Sequence, residues 1–381
     1  MASINTVDAL SQTSDNTGVL NVQAANITGF SVSAGGMYVK SVTTAQRNAL
    51  TPTTGMIVYD TTTTSMWVYT NSQWQQITST VAPTGTQRGI FGYGRTSSSA
   101  YLSVTNLVST TGVVATDVTG VGTARAGVAA ASYGGDKAIF GYGITTSNVV
   151  QSVTNLVSNA GVVSANTTGV GTARQSLAAS GYGGDKAIFG YGTTAAASGS
   201  GVSMTNLVSN TGIVAADTTG VGTARSELAA AGYGGDKAIF GYGINTAGSR
   251  TATFNLVSNT GVVAADTTGV GVAKRGVAAA SYGGDKAIFG YGVATSIGTG
   301  NFTNLVSNTG VVSADVTGVG TARQQLSACT YGSDKAIFGY GDTSANTAIT
   351  NLVSNTGVVS TDTTGVGTAR SELGAAGYSF T

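Results

Sequence analysis

Histidine is absent from the 381-residue sequence, and glutamate occurs only at Glu227 and Glu372. The missing imidazole removes the most common acid–base group and metal ligand. With so little glutamate, a carboxylate pair for cleaving glycosides would have to come from aspartates that recur throughout the chain. We therefore predict that the chain is not an enzyme and has no cofactor, no metal and no catalytic residue.

Charge and cysteine are also scarce. Charged residues make up 9% of the chain and the net charge is +1, whereas nucleic-acid binding needs a basic face, so no nucleic-acid partner is predicted. The single cysteine, Cys329, excludes an internal disulfide and is expected to be a small buried residue. We expect no membrane insertion, since no apolar run approaches the ~20 residues that span a bilayer. We also expect no signal peptide, since the first residues lack a basic and an apolar region.

What the sequence has instead is a repeat. The motif Asp-Lys-Ala-Ile-Phe-Gly-Tyr-Gly occurs five times, and a sixth copy starting at Arg88 lacks the Asp-Lys. A period close to 49 residues is normal for a propeller blade and long for a solenoid coil. The motif's phenylalanines are separated by 49, 49, 51, 49 and 49 residues and are Phe91, Phe140, Phe189, Phe240, Phe289 and Phe338.

Each copy predicts four short strands, namely Lys-Ala-Ile-Phe-Gly-Tyr, Asn-Leu-Val-Ser, Val-Val-Ala-Ala and Leu-Ala-Ala-Ala-Gly-Tyr. Asn-Thr-Gly and Gly-Gly-Asp between them suit tight turns. Apolar side chains fall on both faces of these strands, so each sheet needs a cover on both sides. Because no helical pattern can supply it, we predict an all-β fold in which residues 79–381 form a six-bladed β-propeller.

The two ends of the repeat region complement each other. It begins with a Phe strand, Ile90–Gly94, that has no preceding Ala-rich strand, and it ends with an Ala-rich strand over residues 372–378 that has no following Phe strand. We expect these two strands to pair, so that the C-terminal strand closes the ring and hides its edges.

The repeats resemble the kelch family, whose units carry a basic residue opening the inner strand, a hydrophobic strand ending in a glycine pair, and a Tyr-Asp strand. Here Thr-Ala-Arg and Ala-Ile-Phe-Gly-Tyr-Gly correspond to the first two features, although a tyrosine splits the glycines and the kelch tryptophan is absent. The resemblance implies a propeller and no activity. The third feature corresponds to Asp117, Asn166, Asp217, Asp266, Asp315 and Asp362.

The N-terminal part divides into two predicted segments. Residues 1–35 are polar and are read as an extended anchoring arm, with a disordered tail as the alternative. Residues 36–78 predict a helical turn at Thr44–Leu50, strands at Gly55–Asp60 and Ser65–Tyr69, and a terminal Trp74. This order resembles a small β-module of tailed-bacteriophage fibres and other virion appendages. The resemblance implies attachment to other virion proteins and a homotrimer; the alternative is a folded cap on the propeller.

Two sets of residues are candidates for a site. A basic residue lies eight positions after each Tyr-Asp-type aspartate, and we expect the two to pair at one end of the same blade; the alternative is a cation ring that binds an anion. The lengths between Gly-Tyr-Gly and Asn-Leu-Val vary, which indicates either neutral drift or a recognition rim. The candidate basic ring is Arg125, Arg174, Arg225, Lys274, Arg323 and Arg370, and the candidate receptor-binding loop residues are Arg95, Tyr101, Arg250, Phe302 and Asp342.

The sequence therefore predicts a structural virion protein of a tailed bacteriophage, a fibre, appendage or decoration protein. Its propeller is expected to bind a host surface glycan or protein by many weak contacts, outside the cell, after assembly in the host cytoplasm. One alternative is a bacterial surface adhesin with a carbohydrate-binding propeller, and a less favoured one is a polysaccharide-acting enzyme. Host, receptor and position on the virion are left open, as is the rim that binds.

Overall fold

The computed structural model describes residues 20–24, 27–33, 36–70, 72–76, 87–195 and 200–379. The described structure is all-β apart from one short helix. The chain divides into two compact units, residues 1–82 and 83–381. The sequence-predicted boundary lies at 78/79, and the two units are described separately.

The N-terminal unit begins with an antiparallel three-stranded sheet of Leu20–Ala24, Ile27–Ser33 and Gly36–Val39. The predicted extended arm is therefore wrong for its described part, because residues 20–33 pair with each other and with the following strand. The alternating apolar residues that were scattered along this segment are the signal for these strands. The prediction for residues 1–19 lies outside the described residues.

A second sheet of the N-terminal unit follows the predicted order. It contains Ser41–Val42, Ile57–Asp60, Ser65–Thr70 and Gln73–Gln76, with the first pair parallel and the others antiparallel. The helix Thr44–Asn48 begins at a capping box in which Thr43 and Gln46 satisfy each other's backbone N–H groups. These elements confirm the predicted helical turn and strands.

The repeat unit contains six main sheets, built from three kinds of strand that are each named here by a characteristic residue, and two further sheets of two-residue strands. The Phe strands are Gln87–Gly92, Lys137–Gly141, Lys186–Gly190, Lys237–Gly241, Lys286–Gly290 and Lys335–Gly339. The Asn strands are Thr105–Val108, Thr154–Val157, Thr205–Val208, Thr253–Val257, Thr303–Val306 and Thr350–Val353. The Ala strands are Ala129–Tyr133, Ala178–Tyr182, Ala229–Tyr233, Ala278–Tyr282, Ser327–Tyr331 and Gly374–Ser379.

Every main sheet contains an Ala strand, a Phe strand and an Asn strand in that order, all antiparallel. The predicted fourth strand is not a continuous ladder, and this corrects the four-strand prediction. In the first copy it touches the Asn strand through two isolated bridges, Val108 with Val114 and Thr105 with Val118. Between the two bridges the Asn106 side chain takes the place of backbone hydrogen bonds. It donates to Ala115 O (2.9 Å) and to Asp117 Oδ1 (2.8 Å). In the fourth copy, Thr267–Thr268 pairs as a two-residue strand.

The C-terminal Ala strand pairs with the first Phe strand, as predicted. Gly374 lies opposite Gly92, and the register continues for six residues to Ser379 opposite Gln87. The first Phe strand also pairs with the Asn strand Thr105–Val108, so one sheet combines both ends of the unit. The expectation that the C-terminal strand joins the segment near Ile90 is confirmed by this register.

The hydrophobic cores lie between consecutive sheets and follow one another in a cycle. Six clusters each combine residues of one copy with those of the next, and one of them joins Ile337 and Tyr340 to Phe91 and Val108 at the start of the unit. The first glycine of the Gly-Tyr-Gly motif allows neighbouring sheets to pack closely. At Gly190 a side chain would clash, since its Cβ would lie 2.8 Å from Cζ of Phe240 in the next copy.

The Ala strands of all six copies line a common axial space. A cavity of about 270 Å³ at one end is lined by Gln87 and by the Gly-Gly-Asp hairpins, among them Gly135 and Gly235. A cavity of about 70 Å³ at the other end is lined by the residues that follow each basic residue, among them Gly127 and Glu372. The chain therefore enters the repeat unit at what we call the hairpin end, while the Phe strands lead to the opposite end, the loop end.

Candidate functional site

The six candidate basic residues are buried between neighbouring copies. Five are arginines with 0% exposure, and Lys274 is 1% exposed. Each cation lies 4.2–4.7 Å from the ring centroid of a Gly-Tyr-Gly tyrosine, a cation–π geometry. Those tyrosines are also buried and take a positive φ near 64°. This placement is typical of residues that stabilise the packing of one copy against the next.

The partner of each basic residue is in the following copy, so the predicted ion pair within one copy is wrong. Arg174 Nη2 donates to Asn206 Oδ1 (2.6 Å), and Arg174 Nη1 lies 3.4 Å from Asp217 Oδ1. The last copy reaches the first in the same way, since Arg370 Nη2 donates to Asn106 Oδ1 at 2.7 Å. Asn206 donates its two amide hydrogens to Ala215 O and Asp217 Oδ1, and its oxygen accepts from the cation, so both polar atoms of the amide have partners.

Each acidic partner also binds the copy before it. Asp217 accepts hydrogen bonds from the Thr172 backbone N–H (3.0 Å) and hydroxyl (2.6 Å). In the second copy Asn166 stands at this position, and among the described residues Arg125 forms no ion pair; its Nη2 donates to Asn155 Oδ1. The Nε and Nη1 atoms of Arg125 are buried without a hydrogen-bond partner among the described residues. The six contacts between copies therefore share the bond from the cation to the asparagine but differ in charge.

Burial governs the ionisation of these groups. Desolvation raises the pKa of Tyr93 and Tyr142 to about 12 and lowers the pKa of Arg125 and Arg174. Partial burial raises the pKa of Asp217, but hydrogen bonds from Thr172 and Asn206 and the charge of Arg174 outweigh it, so that the net pKa is lowered. The corresponding carboxyls Asp117, Asp266, Asp315 and Asp362 shift in the same direction.

This shift predicts acid sensitivity. A carboxyl whose folded pKa lies below its unfolded value of about 3.9 stabilises the fold above that value and loses the contribution as pH falls below it. We expect the urea midpoint of the full chain to be flat between about pH 7 and 5 and to fall below about pH 4. Replacing the five aspartates by asparagine, the residue that stands naturally at Asn166, should make the fall of the urea midpoint below about pH 4 less steep. An unchanged slope in that variant would contradict the assignment.

The pair of residues after each basic residue lies at the loop end. The first residue of each pair bridges to the start of a variable loop, as Ala126 does with Ile144 and Gln324 with Asp342. In two copies the bridge grows into short strands. These are Arg225–Ser226 with Ile244–Asn245, and Lys274–Arg275 with Val293–Ala294 and Gly298–Thr299.

The second residues of these pairs form a ring of backbone hydrogen bonds that the sequence did not reveal. Each N–H donates to the carbonyl of the preceding copy at 2.8–2.9 Å, and the ring closes from Gly127 N to Glu372 O. Their φ angles lie between 51° and 62°, so that even Ser176 and Gln325 hold a conformation that usually favours glycine. The ring surrounds the smaller cavity. In the sequence, the glycines at this position in two copies, Gly127 and Gly276, were the only indication of a positive φ there.

The protein's two glutamates lie three positions apart on this six-membered ring. Glu372 accepts from Arg95 Nη2 at 2.6 Å, and Glu227 forms an ion pair with Arg275. Burial raises the pKa of Glu372, with Arg95 opposing the shift and Glu227 adding to it. Each of the two carboxylates therefore forms an ion pair with an arginine beside the ring of backbone hydrogen bonds.

The candidate loop residues are only partly presented to solvent. Arg95 is half-exposed and engaged by Glu372, while Tyr101, Arg250 and Asp342 are half-buried. Phe302 is 9% exposed, and its ring centroid lies 4.9 Å from Lys274 Nζ. The expectation that Phe302 contacts a partner is therefore wrong, because an aromatic side chain entering the interval between copies completes the wall around the buried cation.

The exposed loop tips are made of other residues. Most are serine, threonine, alanine, glycine or asparagine, together with the apolar Val149 and Ile297, which is 62% exposed. Small hydroxyl and amide groups offer hydrogen bonds without fixed charge. The described exposed tips are residues 97–100, 146–149, 246–249, 295–299 and 343–345.

At the hairpin end the Asp-Lys motif has a local role. Lys186 Nζ contacts Asp185 Oδ1 at 2.7 Å, and Asp185 Oδ2 accepts from Asn210 Nδ2 at 3.0 Å. The contact with Lys186 lowers the pKa of Asp185 and raises that of Lys186. Asp185 O also accepts from Gly134 N of the preceding copy at 2.7 Å, so the motif ties adjacent hairpins together.

Within the described residues, no group of three histidine, cysteine or acidic side chains is arranged to hold a metal ion. The helix in that part of the chain has five residues, and none there is long and apolar enough to cross a bilayer. Burial raises the pKa of the Cys329 thiol to about 12, which agrees with the expectation of a buried, unreactive cysteine.

Residues 4–88 match the family model of the phage tail-like trimerisation region. No curated protein matches the chain. The matched segment covers residues 4–82 of the N-terminal unit and the first residues of the repeat unit, and it agrees with the resemblance seen in the helical turn, the strands and Trp74. It indicates a phage tail- or fibre-like structural protein, a virion component that assembles as a homotrimer.

Proposed function

We propose that this chain is a virion fibre or appendage protein whose repeat unit is a six-bladed, kelch-like β-propeller that binds the host surface through its loop end. Residues 1–78 attach it to other virion proteins as a trimer. The propeller part is supported by six equivalent sheets, six cores in cyclic order and one sheet built from both chain ends. The buried cations link every sheet to the next, including the last to the first.

The observation that carries the binding role is the polarity of the repeat unit. The variable intervals lie at the loop end, whereas the chain enters at the hairpin end beside Gln87. A rigid framework that holds variable loops away from its own attachment point suits recognition. The small polar tips suit weak contacts to a surface glycan or protein, and three copies on one virion appendage multiply them.

We also propose that the protein is not an enzyme. The cations at the candidate basic ring are buried and matched by asparagine and aspartate, and the two glutamates are matched by arginine. None of these groups combines solvent access with a free partner position, which a general acid or base needs. The protein would be assembled in the host cytoplasm and would act outside the cell as part of the particle.

Replacing the exposed loop tips tests the binding role. A full-length variant with Gly-Ser sequences of equal length at residues 97–100, 146–149, 246–249, 295–299 and 343–345 should bind host cells at least about tenfold more weakly, because the contacts multiply across loops and copies. Binding is measured by co-sedimentation of fluorescently labelled protein with host cells. Mass spectrometry of purified virions checks that the chain is a particle component.

The matched control changes the opposite end. Lys186→Ala, Lys237→Ala and Lys286→Ala together remove exposed charges of the hairpin end and should leave binding unchanged. Equal binding by the loop variant and the parent protein would remove the receptor role. Loss of binding in the lysine variant alone would move the recognition surface to the hairpin end.

A further inference from the structure

The second sheet of the N-terminal unit has two chemically different faces. Its register places Val42, Val58 and Asp60 on one face, and these side chains are 5% exposed or less. This covered face is also where Arg47 reaches, forming an ion pair with Asp60 (3.0 Å) and stacking on Trp67 (3.7 Å). The helix beside the sheet therefore closes one side of it.

The opposite face, here called the open face, carries four apolar side chains in a compact block. Ile57 lies opposite Val68, and Tyr59 lies opposite Met66 on the same two strands. Alternation along each strand puts all four on one side, and cross-strand neighbours of this kind have Cβ atoms about 5 Å apart. Ile57 keeps 43% of its surface exposed, and the other three are half-buried.

Polar residues surround this block. Ser41 continues the row of Tyr59 and Met66, and Gln75 continues the row of Ile57 and Val68. Both polar residues are exposed, and the six named side chains carry no charge. An uncharged apolar centre inside a polar border is the composition of a protein–protein interface core with its rim, and apolar side chains in contact beside each other on a surface mark such a site.

We propose that the open face is the surface through which three copies of this chain meet. This inference rests on the trimeric assembly in the proposed function and assigns it to particular residues. The trimerisation-region match spans the whole sheet, and so small a unit is expected to gain stability by association. In a threefold assembly each copy presents the same residues, and an uncharged face meets its copies without like-charge repulsion.

A charge placed on the open face tests this assignment. Full-length Ile57→Lys and Val68→Lys should reduce the mass measured by light scattering from about three times the 37.6 kDa chain mass to that of one chain, because a buried, unpaired lysine opposes association. The matched control is Gln76→Lys, an exposed residue of the same sheet whose register places it on the covered side beside Trp67. This control should stay trimeric.

Folding of the variants can be read independently. Both tryptophans of the protein, Trp67 and Trp74, lie in this sheet, so an unshifted fluorescence maximum shows that the sheet is intact. Should a lysine variant unfold, cysteine cross-linking decides instead. Ile57→Cys with a short bis-maleimide should give covalent dimers, the largest product that one reactive thiol per chain allows, whereas Gln76→Cys should give only monomers. The native Cys329 is 3% exposed and contributes little background.

The outcomes separate the two levels of the proposal. A folded Ile57→Lys protein that stays trimeric, or a Gln76→Cys protein that cross-links as well as Ile57→Cys, overturns the open-face assignment while the trimer stands. A parent protein that runs as a single chain overturns the trimer and the assignment together. Binding of host cells by that single chain would still leave the loop-end role intact.

Discussion

A protein truncated after Leu373 is expected to lose the fold of its repeat unit. The missing residues include the Ala strand Gly374–Ser379, which pairs over six residues with the first Phe strand. Ile90 and Phe91 are 0% exposed, and truncation would uncover them together with the edge of their strand. An uncovered edge next to apolar side chains is a template for aggregation.

The size of this effect follows from what the strand buries. Tyr378 is 1% exposed, and burying a large aromatic side chain contributes about 2–3 kcal/mol. The strand's backbone hydrogen bonds to Gln87–Gly92 contribute roughly 1 kcal/mol each. The sum approaches the total stability of an ordinary domain, about 5–15 kcal/mol, so we expect aggregated or unfolded protein rather than a modestly weakened one.

Size-exclusion chromatography and thermal unfolding check this expectation. Deleting only residues 380–381 is the matched control and should leave the unfolding temperature unchanged. Adding a peptide of residues 371–381 in trans should recover soluble, cooperatively unfolding protein. A truncated chain that stays soluble and unfolds at the parent temperature would contradict the closure of the repeat unit by its C-terminal strand.

Local patterns were sufficient to predict three of the four strands of each copy and the pairing of the first and last strands of the repeat unit. The fixed spacing of the six phenylalanines and the unmatched strand at each end led to the pairing near Ile90 that the register shows. The same patterns predicted a continuous fourth strand, which the structure replaces by isolated bridges. The cause is the side chain of Asn106 and its counterparts, which donates hydrogen bonds to the segment predicted as the fourth strand. The strand propensities of the residues do not reveal such side-chain bonds.

The site was predictable only in part. The sequence located the six basic residues, but their partners lie in the next copy, and a count of eight residues along the chain pointed to the wrong carboxylate. Phe302 fell in a variable interval and was assigned to the surface, although its ring lies against Lys274. The ring of backbone hydrogen bonds needs positive φ angles at Ser176 and Glu227, which the residue types there do not favour.

Two copies of the repeat differ in a way that allows the contribution of a buried cation to the free energy of unfolding to be measured. Arg174 and Arg125 are both fully buried, both donate to an asparagine (2.6 and 2.7 Å), and both lie 4.7 Å from a tyrosine ring. They differ in the acidic position of the next copy, which is Asp217 for Arg174 and Asn166 for Arg125. Substitution by methionine fills similar space without charge.

Arg174→Met is expected to destabilise the repeat unit by about 2–3 kcal/mol, because it leaves the buried Asn206 without its charged donor and also removes the cation beside the partly exposed Asp217. Arg125→Met should cost about 1–2 kcal/mol, the price of one unsatisfied buried acceptor at Asn155, and it also removes two buried N–H groups that lack partners. Urea unfolding of both variants at pH 7 measures the difference. Because the pKa of Asp217 is lowered, the two costs should converge only as the pH falls through that lowered pKa, where the carboxylate that distinguishes the two sites loses its charge. Equal costs at pH 7 would show that the asparagine and the tyrosine ring, rather than the aspartate, account for the stabilising effect of these cations.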